Sequence, residues 1–321
     1  MATWPLWAQA GAAALLAAAA VLVTAPRAVA WLSALGSRQQ IREDAPARHR
    51  AKAGVPTMGG VLIVAAVVLA TAITGGWTAR VGLGLAGLLG FGAIGFLDDL
   101  QKVRRGRNLG LRARERLTLQ LGLGLLLGSV TAATLGSAVR LPGGAAIDLG
   151  GAYAVVAALW LTGFANAVNL TDGLDGLAAG LSAAAAAGLA LVAARRAAPD
   201  AAVVAAAIAG AAAGFLSVNR YPARLIMGDV GSNALGGGLA ALAMATGTEL
   251  PLAIIGGVFV AEAASVLAQV AYFKATGGRR ILRMSPLHHH FELVGWSEPQ
   301  VVRRFYAAGG VCLVLGVIAA R

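Results

Sequence analysis

Long apolar stretches alternate with short polar segments along the whole 321-residue chain. Their hydropathy predicts ten spans, at roughly 6–25, 56–75, 79–97, 117–136, 151–168, 174–194, 200–217, 233–248, 250–273 and 303–320. Each comes near the roughly 20 residues with which a helix crosses a bilayer. The apolar runs are unbroken rather than alternating in facing, which argues against a transmembrane barrel. Several are rich in alanine and glycine, as at 183–187 and 205–213. Such spans pack closely against other helices instead of facing lipid. No polar region of domain size interrupts the series, so positions 1–321 read as a single all-α, polytopic membrane domain.

Composition strengthens this reading. Hydrophobic residues make up 58% of the chain and charged residues 12%, against roughly 25% charged in soluble domains. The single cysteine, Cys312, excludes a disulfide scaffold or a cysteine metal site within the chain. No Lys or Arg precedes the first apolar run, which argues against a cleaved signal peptide and for an external N-terminus. Ten spans then place the C-terminus outside as well. In this topology the cytoplasmic loops hold 21 of the 26 Lys and Arg residues, satisfying the positive-inside rule. The net charge of +12 lies in short loops, so its partner is an anionic membrane surface or substrate rather than nucleic acid.

Positive-inside bias does not explain acids, yet ten of the fourteen Asp and Glu fall on the same side. Asp98-Asp99 stands at the C-terminal end of span three, with Lys102 following. Each acid there is unfavourable by roughly 0.3–1 kcal/mol against the helix dipole. An i,i+4 pair of Asp98 with Lys102 returns only about 0.2–0.5 kcal/mol. Adjacent carboxylates held against that gradient favour a cation site or a proton-transfer role. Between spans five and six runs Asn166-Ala-Val-Asn169-Leu-Thr-Asp172-Gly-Leu-Asp175-Gly. This density of amides, acids and glycines must line a cavity or pack in protein. Asp172 and Asp175 also have capping-box spacing at the start of span six. Met227-Gly-Asp229-Val-Gly231-Ser-Asn233 precedes span eight, whose inward-facing N-terminus suits phosphate-rich ligands; Asp229 could hold a Mg²⁺ shared with them. His288-His289-His290 lies in the last large loop, and three consecutive side chains on a helix do not converge on one metal. Lys52 and Thr57 belong to a Gly/Pro-rich segment opening span two, with Lys52 a point charge for phosphate. Glu262, inside span nine, suggests pairing with another helix or a backbone group. Together these clusters describe phosphoryl transfer at the cytoplasmic membrane surface.

The segments Asn166–Ala178 and Met284-Ser-Pro-Leu-His-His-His-Phe-Glu292 closely resemble the bacterial phospho-N-acetylmuramoyl-pentapeptide transferases. That family is a branch of the polyprenyl-phosphate N-acetylhexosamine-1-phosphate transferases, and the resemblance covers nearly the whole chain. It implies a multi-pass enzyme of the bacterial inner membrane, with a catalytic cleft on the cytoplasmic face. The implied reaction uses UDP-MurNAc-pentapeptide and undecaprenyl phosphate, requires Mg²⁺ and yields lipid I and UMP. Membrane lipid and a second copy of the chain are the further partners it implies. It assigns catalytic roles to Asp98, Asp99, Lys102, His289 and His290, and the metal to Asp229. Substrate binding falls to Lys52, Thr57, Asn166, Asn169, Asp172, Asp175, Asn219 and His288. Ile226 stands where the family commonly has an aromatic. A sibling transferase using UDP-GlcNAc is the alternative, which the triple-His loop disfavours. A secondary transporter is a third reading, opposed by the lack of an internal repeat.

Overall fold

The computed structural model describes residues 5–36, 54–106, 109–141 and 144–320. Lys52 lies outside them. Twelve α-helices and one hairpin follow in order among the described residues: α1 (Leu6–Ala34), α2 (Gly60–Thr74), α3 (Ala79–Arg105), α4 (Ala113–Leu135), β1 (Ala138–Arg140), β2 (Ala146–Asp148), α5 (Tyr153–Thr171), α6 (Leu177–Arg195), α7 (Pro199–Asn219), α8 (Gly228–Thr246), α9 (Glu249–Ile255), α10 (Gly257–Ala275), α11 (Leu287–Val294) and α12 (Glu298–Ala319). The two short strands pair antiparallel, with Val139 opposite Ile147. Among the described residues eight helices are long and apolar enough to cross a membrane: α1, α3, α4, α5, α6, α7, α10 and α12. Helix α2 has 15 residues and α8 begins with a polar turn.

Helix α8 is the centre of the bundle. Every residue from Val230 to Ala245 is buried, as expected of a helix surrounded by protein. Its glycines allow that enclosure. A Cβ on Gly237 would meet the Phe91 ring at 2.6 Å, and one on Gly236 would meet Ala165 Cα at 2.6 Å. From the α3 side, a Cβ on Gly87 would lie 2.6 Å from the Gly237 carbonyl, and one on Gly95 would fall on the carbonyl of Asp229. Helices α3 and α8 therefore approach backbone to backbone, which brings Asp98 and Asp99 beside Asp229. Helix α2 does the same from another side: a Cβ on Gly60 would overlap the main chain of Gly231. Gly60→Ala is expected to lower stability by about 3 kcal/mol, because backbone on both sides leaves no side chain to yield. Thermal unfolding of the solubilised protein measures this, and a wild-type melting temperature would contradict the close approach.

Four elements differ from the hydropathy reading. Helix α3 continues two turns beyond residue 97, to a left-handed cap at Gly106 (φ 59°). The acids therefore do not end the helix, and the dipole argument against them weakens. Helix α8 starts at Gly228, so Asp229 sits within its first turn instead of ahead of it. The ninth span is two helices broken at Gly256, where the phenyl ring of Phe164 packs 2.8 Å from a would-be Cβ. The capping box is absent: Gly176 (φ 81°) precedes α6 and no side chain caps it.

Candidate active site

Three carboxylates from two helices meet beside Lys102. Asp98 and Asp99 are each 3% exposed, and one oxygen from each, together with one from Asp229, lie within 4.8 Å of one another. The Lys102 ammonium is 2.6 Å from Asp98 Oδ2, 3.6 Å from Asp99 Oδ1 and 2.8 Å from Asp229 Oδ2. Backbone donors fix the two α3 acids. Leu111 N–H donates to Asp98 Oδ1 at 2.9 Å, and Val230 N–H donates to Asp99 Oδ2 at 3.0 Å. The second bond comes from the first turn of α8, where N–H groups have no intrahelical acceptor.

Asp229 is the hub of this group. Asn169 on α5 donates to its Oδ1 at 2.8 Å and to Ser232 Oγ at 2.9 Å. Arg116 on α4 reaches its Oδ2 at 3.4 Å and Asn166 Oδ1 at 3.3 Å. Its backbone position follows from the turn before it. Gly59 N–H and Gly60 N–H donate to the carbonyls of Ile226 and Met227, while Ile226 N–H donates to Pro56. Gly228 then turns with φ 72°, a conformation that favours glycine. A Cβ there would come 2.5 Å from Asp99 Oδ2 and 3.0 Å from Thr57 Oγ1, so Thr57 borders the same turn.

A second polar group adjoins α5. Asp172 is the C-cap of that helix, three residues past Asn169. Asp175 is buried, accepts from Ala223 N–H at 2.9 Å and donates its own N–H to Glu298 at 2.6 Å. Asn219 accepts from Gly176 N–H at 3.2 Å and donates to the Leu225 carbonyl at 2.9 Å. Tyr306 OH completes the clasp by donating to the Gly176 carbonyl at 2.7 Å. Here Asp175 and Asn219 hold the turn that carries Asp172.

The three histidines diverge along α11. His288 is fully buried, with its N–H and Nδ1 each 3.2 Å from Glu262 Oε1. The His288 ring also packs against Gly173, where any Cβ would collide with it. His289 Nδ1 lies 2.9 Å from Glu292, and His290 Nδ1 accepts from Arg283 N–H at 3.1 Å. The buried acid of α10 thus anchors α11 against the Asp172 turn.

Residues 81–247 match the model of glycosyl transferase family 4. The chain belongs to that family. Over 309 residues it is 50% identical to the phospho-N-acetylmuramoyl-pentapeptide-transferase of Heliobacterium modesticaldum, covering 95% of this chain and 96% of that protein. The transferase of the same name from Symbiobacterium thermophilum is 47% identical, with 95% and 93% covered. That of Bacillus subtilis is 43% identical, with 92% and 93% covered. The stretch matched by the family 4 model runs from α3 to α8. It includes Asp98, Asp99, Lys102, Asn166, Asn169, Asp172, Asp175, Asn219 and Asp229, and ends before α11.

Of the residues expected from the sequence, Asp98, Asp99, Lys102, Asn166, Asn169 and Asp229 form one bonded cluster in this family 4 chain. Arg116 and Gln120 belong to it and were not anticipated. Their signal was a basic residue and an amide spaced i,i+4 at the start of α4, which places both on one helix face. Read alone, Arg116 is only another base near the end of a span.

Proposed function

We propose that the chain transfers phospho-MurNAc-pentapeptide from UDP-MurNAc-pentapeptide to undecaprenyl phosphate, giving lipid I and UMP. The observation that carries this reading is the meeting of Asp98 and Asp99 of α3 with Asp229 in the first turn of α8, around Lys102. The names of the relatives that match over nearly their full length support it. In this reading one domain over 1–321 crosses the bacterial inner membrane ten times, with both termini outside and the cleft on the cytoplasmic face. A homodimer and surrounding membrane lipid belong to the same reading.

The acidic cluster fits Mg²⁺: its donors are all carboxylate oxygens from close positions, as hard divalent cations require. Asp98, Asp99 and Asp229 would hold the ion. When bound it offsets charge on the diphosphate during phosphoryl transfer. The protein's own groups do the remainder. One carboxylate of the Asp98–Asp99 pair accepts the proton of the lipid phosphate while the other stays with Asp229 for the ion, and the freed phosphate oxygen attacks the sugar-side phosphorus in line. The new P–O bond forms as the diphosphate bridge breaks, and UMP leaves with the electron pair. Lys102 and Arg116 offset charge on the transferring group. Asp172, Asn169, Thr57 and Lys52 bind the nucleotide sugar, Asp175 and Asn219 hold the Asp172 turn for it, and the segment carrying His289 and His290 closes over it.

The test is UMP release by purified protein given undecaprenyl phosphate and one sugar nucleotide at a time. UMP from UDP-MurNAc-pentapeptide in the presence of Mg²⁺ is the expected result. UMP from UDP-GlcNAc alone would transfer the proposal to the sibling activity.

A further inference from the structure

A ring of hydrogen bonds leaves Asp229 by its main chain and returns by its side chain. Its carbonyl accepts from Asn233 Nδ2 at 2.9 Å. Asn233 Oδ1 accepts from Gln120 Nε2 at 3.0 Å. Gln120 Oε1 accepts from Asn166 Nδ2 at 2.7 Å. Asn166 Oδ1 accepts from Arg116 Nη2 at 3.3 Å, and Arg116 Nη1 reaches Asp229 Oδ2 at 3.4 Å. The ring crosses α8, α4 and α5. Each amide donates on one side and accepts on the other, so the orientation of each is set by its neighbours. Gln120 and Asn233 are 1% and 0% exposed, too buried for solvent to replace a missing partner.

What this ring controls is Arg116. A guanidinium is a planar fork that clasps a carboxylate through two parallel bonds when nothing restrains it. Here one arm is occupied by Asn166. The other reaches Asp229 at 3.4 Å, a longer approach than the 2.8 Å of Lys102. The Asp229 carboxylate therefore stays turned toward Asp98 and Asp99 instead of being closed off by arginine.

We propose that Gln120, Asn166 and Asn233 are positioning residues that restrain Arg116 from clasping Asp229 and so keep this carboxylate able to bind a divalent cation. The proposal rests on the reading of the acidic cluster given above. Manganese is the probe, titrated into the purified full-length protein and followed by electron paramagnetic resonance. Asn233→Leu and Gln120→Met are each expected to weaken Mn²⁺ binding about tenfold, the lower end of what loss of a supporting hydrogen bond costs a metal site. Adding Arg116→Met to either variant is expected to return binding to the wild-type level or tighter, because the competing fork is gone. Arg116→Met in the wild-type background gives the gain from removing the charge alone; a larger gain in the double variants marks the restraint, and an equal one overturns it. Unchanged Mn²⁺ affinity in both single variants, or a double variant no better than its parent, would overturn the proposal. If Asn233→Leu does not fold, Gln120→Met with and without Arg116→Met carries the same comparison. Wild-type protein that binds no Mn²⁺ sinks the cation pocket itself; wild-type binding with unmoved variants sinks the ring alone.

Discussion

Asp229→Asn is expected to lower UMP release by at least about 10³-fold, or ~4 kcal/mol of barrier at 1.36 kcal/mol per tenfold. Lys102, Arg116 and Asn169 all converge on this carboxylate, and Asp98 and Asp99 face it. The substitution keeps the shape of the side chain and removes its charge. Folding should survive it. Three carboxylates now face the two cations Lys102 and Arg116, whereas afterwards two carboxylates face the same two. The local charges are then balanced: Lys102 keeps Asp98 and Asp99, and the part-exposed Arg116 keeps Asn166. The melting temperature of the variant is accordingly expected to stay close to wild type while turnover collapses. Near-normal turnover would remove Asp229 from the chemistry. A collapse of stability along with turnover would mean that it holds the fold.

Much of this architecture is legible in the residue pattern because lipid-spanning segments must be long and apolar. The places where that reading errs share a physical cause. Hydropathy sees the cost of Asp98, Asp99 and Lys102 in lipid, so it ends a span at residue 97. The helix continues because Lys102 offsets part of the acids' charge and donors from Leu111 and Val230 reach them. The start of α8 is hidden in the same way, since Gly228 and Asp229 read as a turn before a helix. The break at Gly256 has no proline to announce it. Its local signal is the Gly256-Gly257 pair, and Phe164 packs where a Cβ on Gly256 would stand.

The site was legible where chemistry is unusual and illegible where it depends on approach. Asp98-Asp99 and the Asn166–Asp175 run stand out because their residue types do not suit a lipid-facing helix. Lys102 was readable as a partner of Asp98, four positions away. Its contact with Asp229 spans 127 positions and exists because Gly95 lets α3 touch the α8 main chain. Gln120 offered only its spacing four positions after Arg116. Its meaning comes from Asn166 and Asn233, which reach it from two other helices.

Removing the ammonium at the centre should, unlike removing the hub, lower stability as well as turnover. Among the described residues Lys102 alone contacts all three carboxylates, two of them 3% exposed. Lys102→Met keeps the stem and deletes the charge, leaving three carboxylates facing Arg116 alone. Unpaired buried charges of this kind cost about 3–5 kcal/mol when one partner is deleted. The variant is therefore expected to melt well below wild type in buffer with chelator. It should also respond far more to Mg²⁺, because a cation that binds the folded state alone stabilises it by RT ln(1 + [L]/Kd), and removing the ammonium lowers that Kd. At Mg²⁺ about 100-fold above Kd the recovery is about 2.7 kcal/mol, most of what the substitution removes. Turnover is still expected to fall by about 10² or more, since the restored ion cannot also supply the ammonium that faces the transferring group. Thermal unfolding with and without Mg²⁺, run beside UMP release, separates the two effects. Equal Mg²⁺ responses in variant and wild type would mean that the ammonium and the cation do not share one pocket, and the placement of the metal among Asp98, Asp99 and Asp229 would fall with that result.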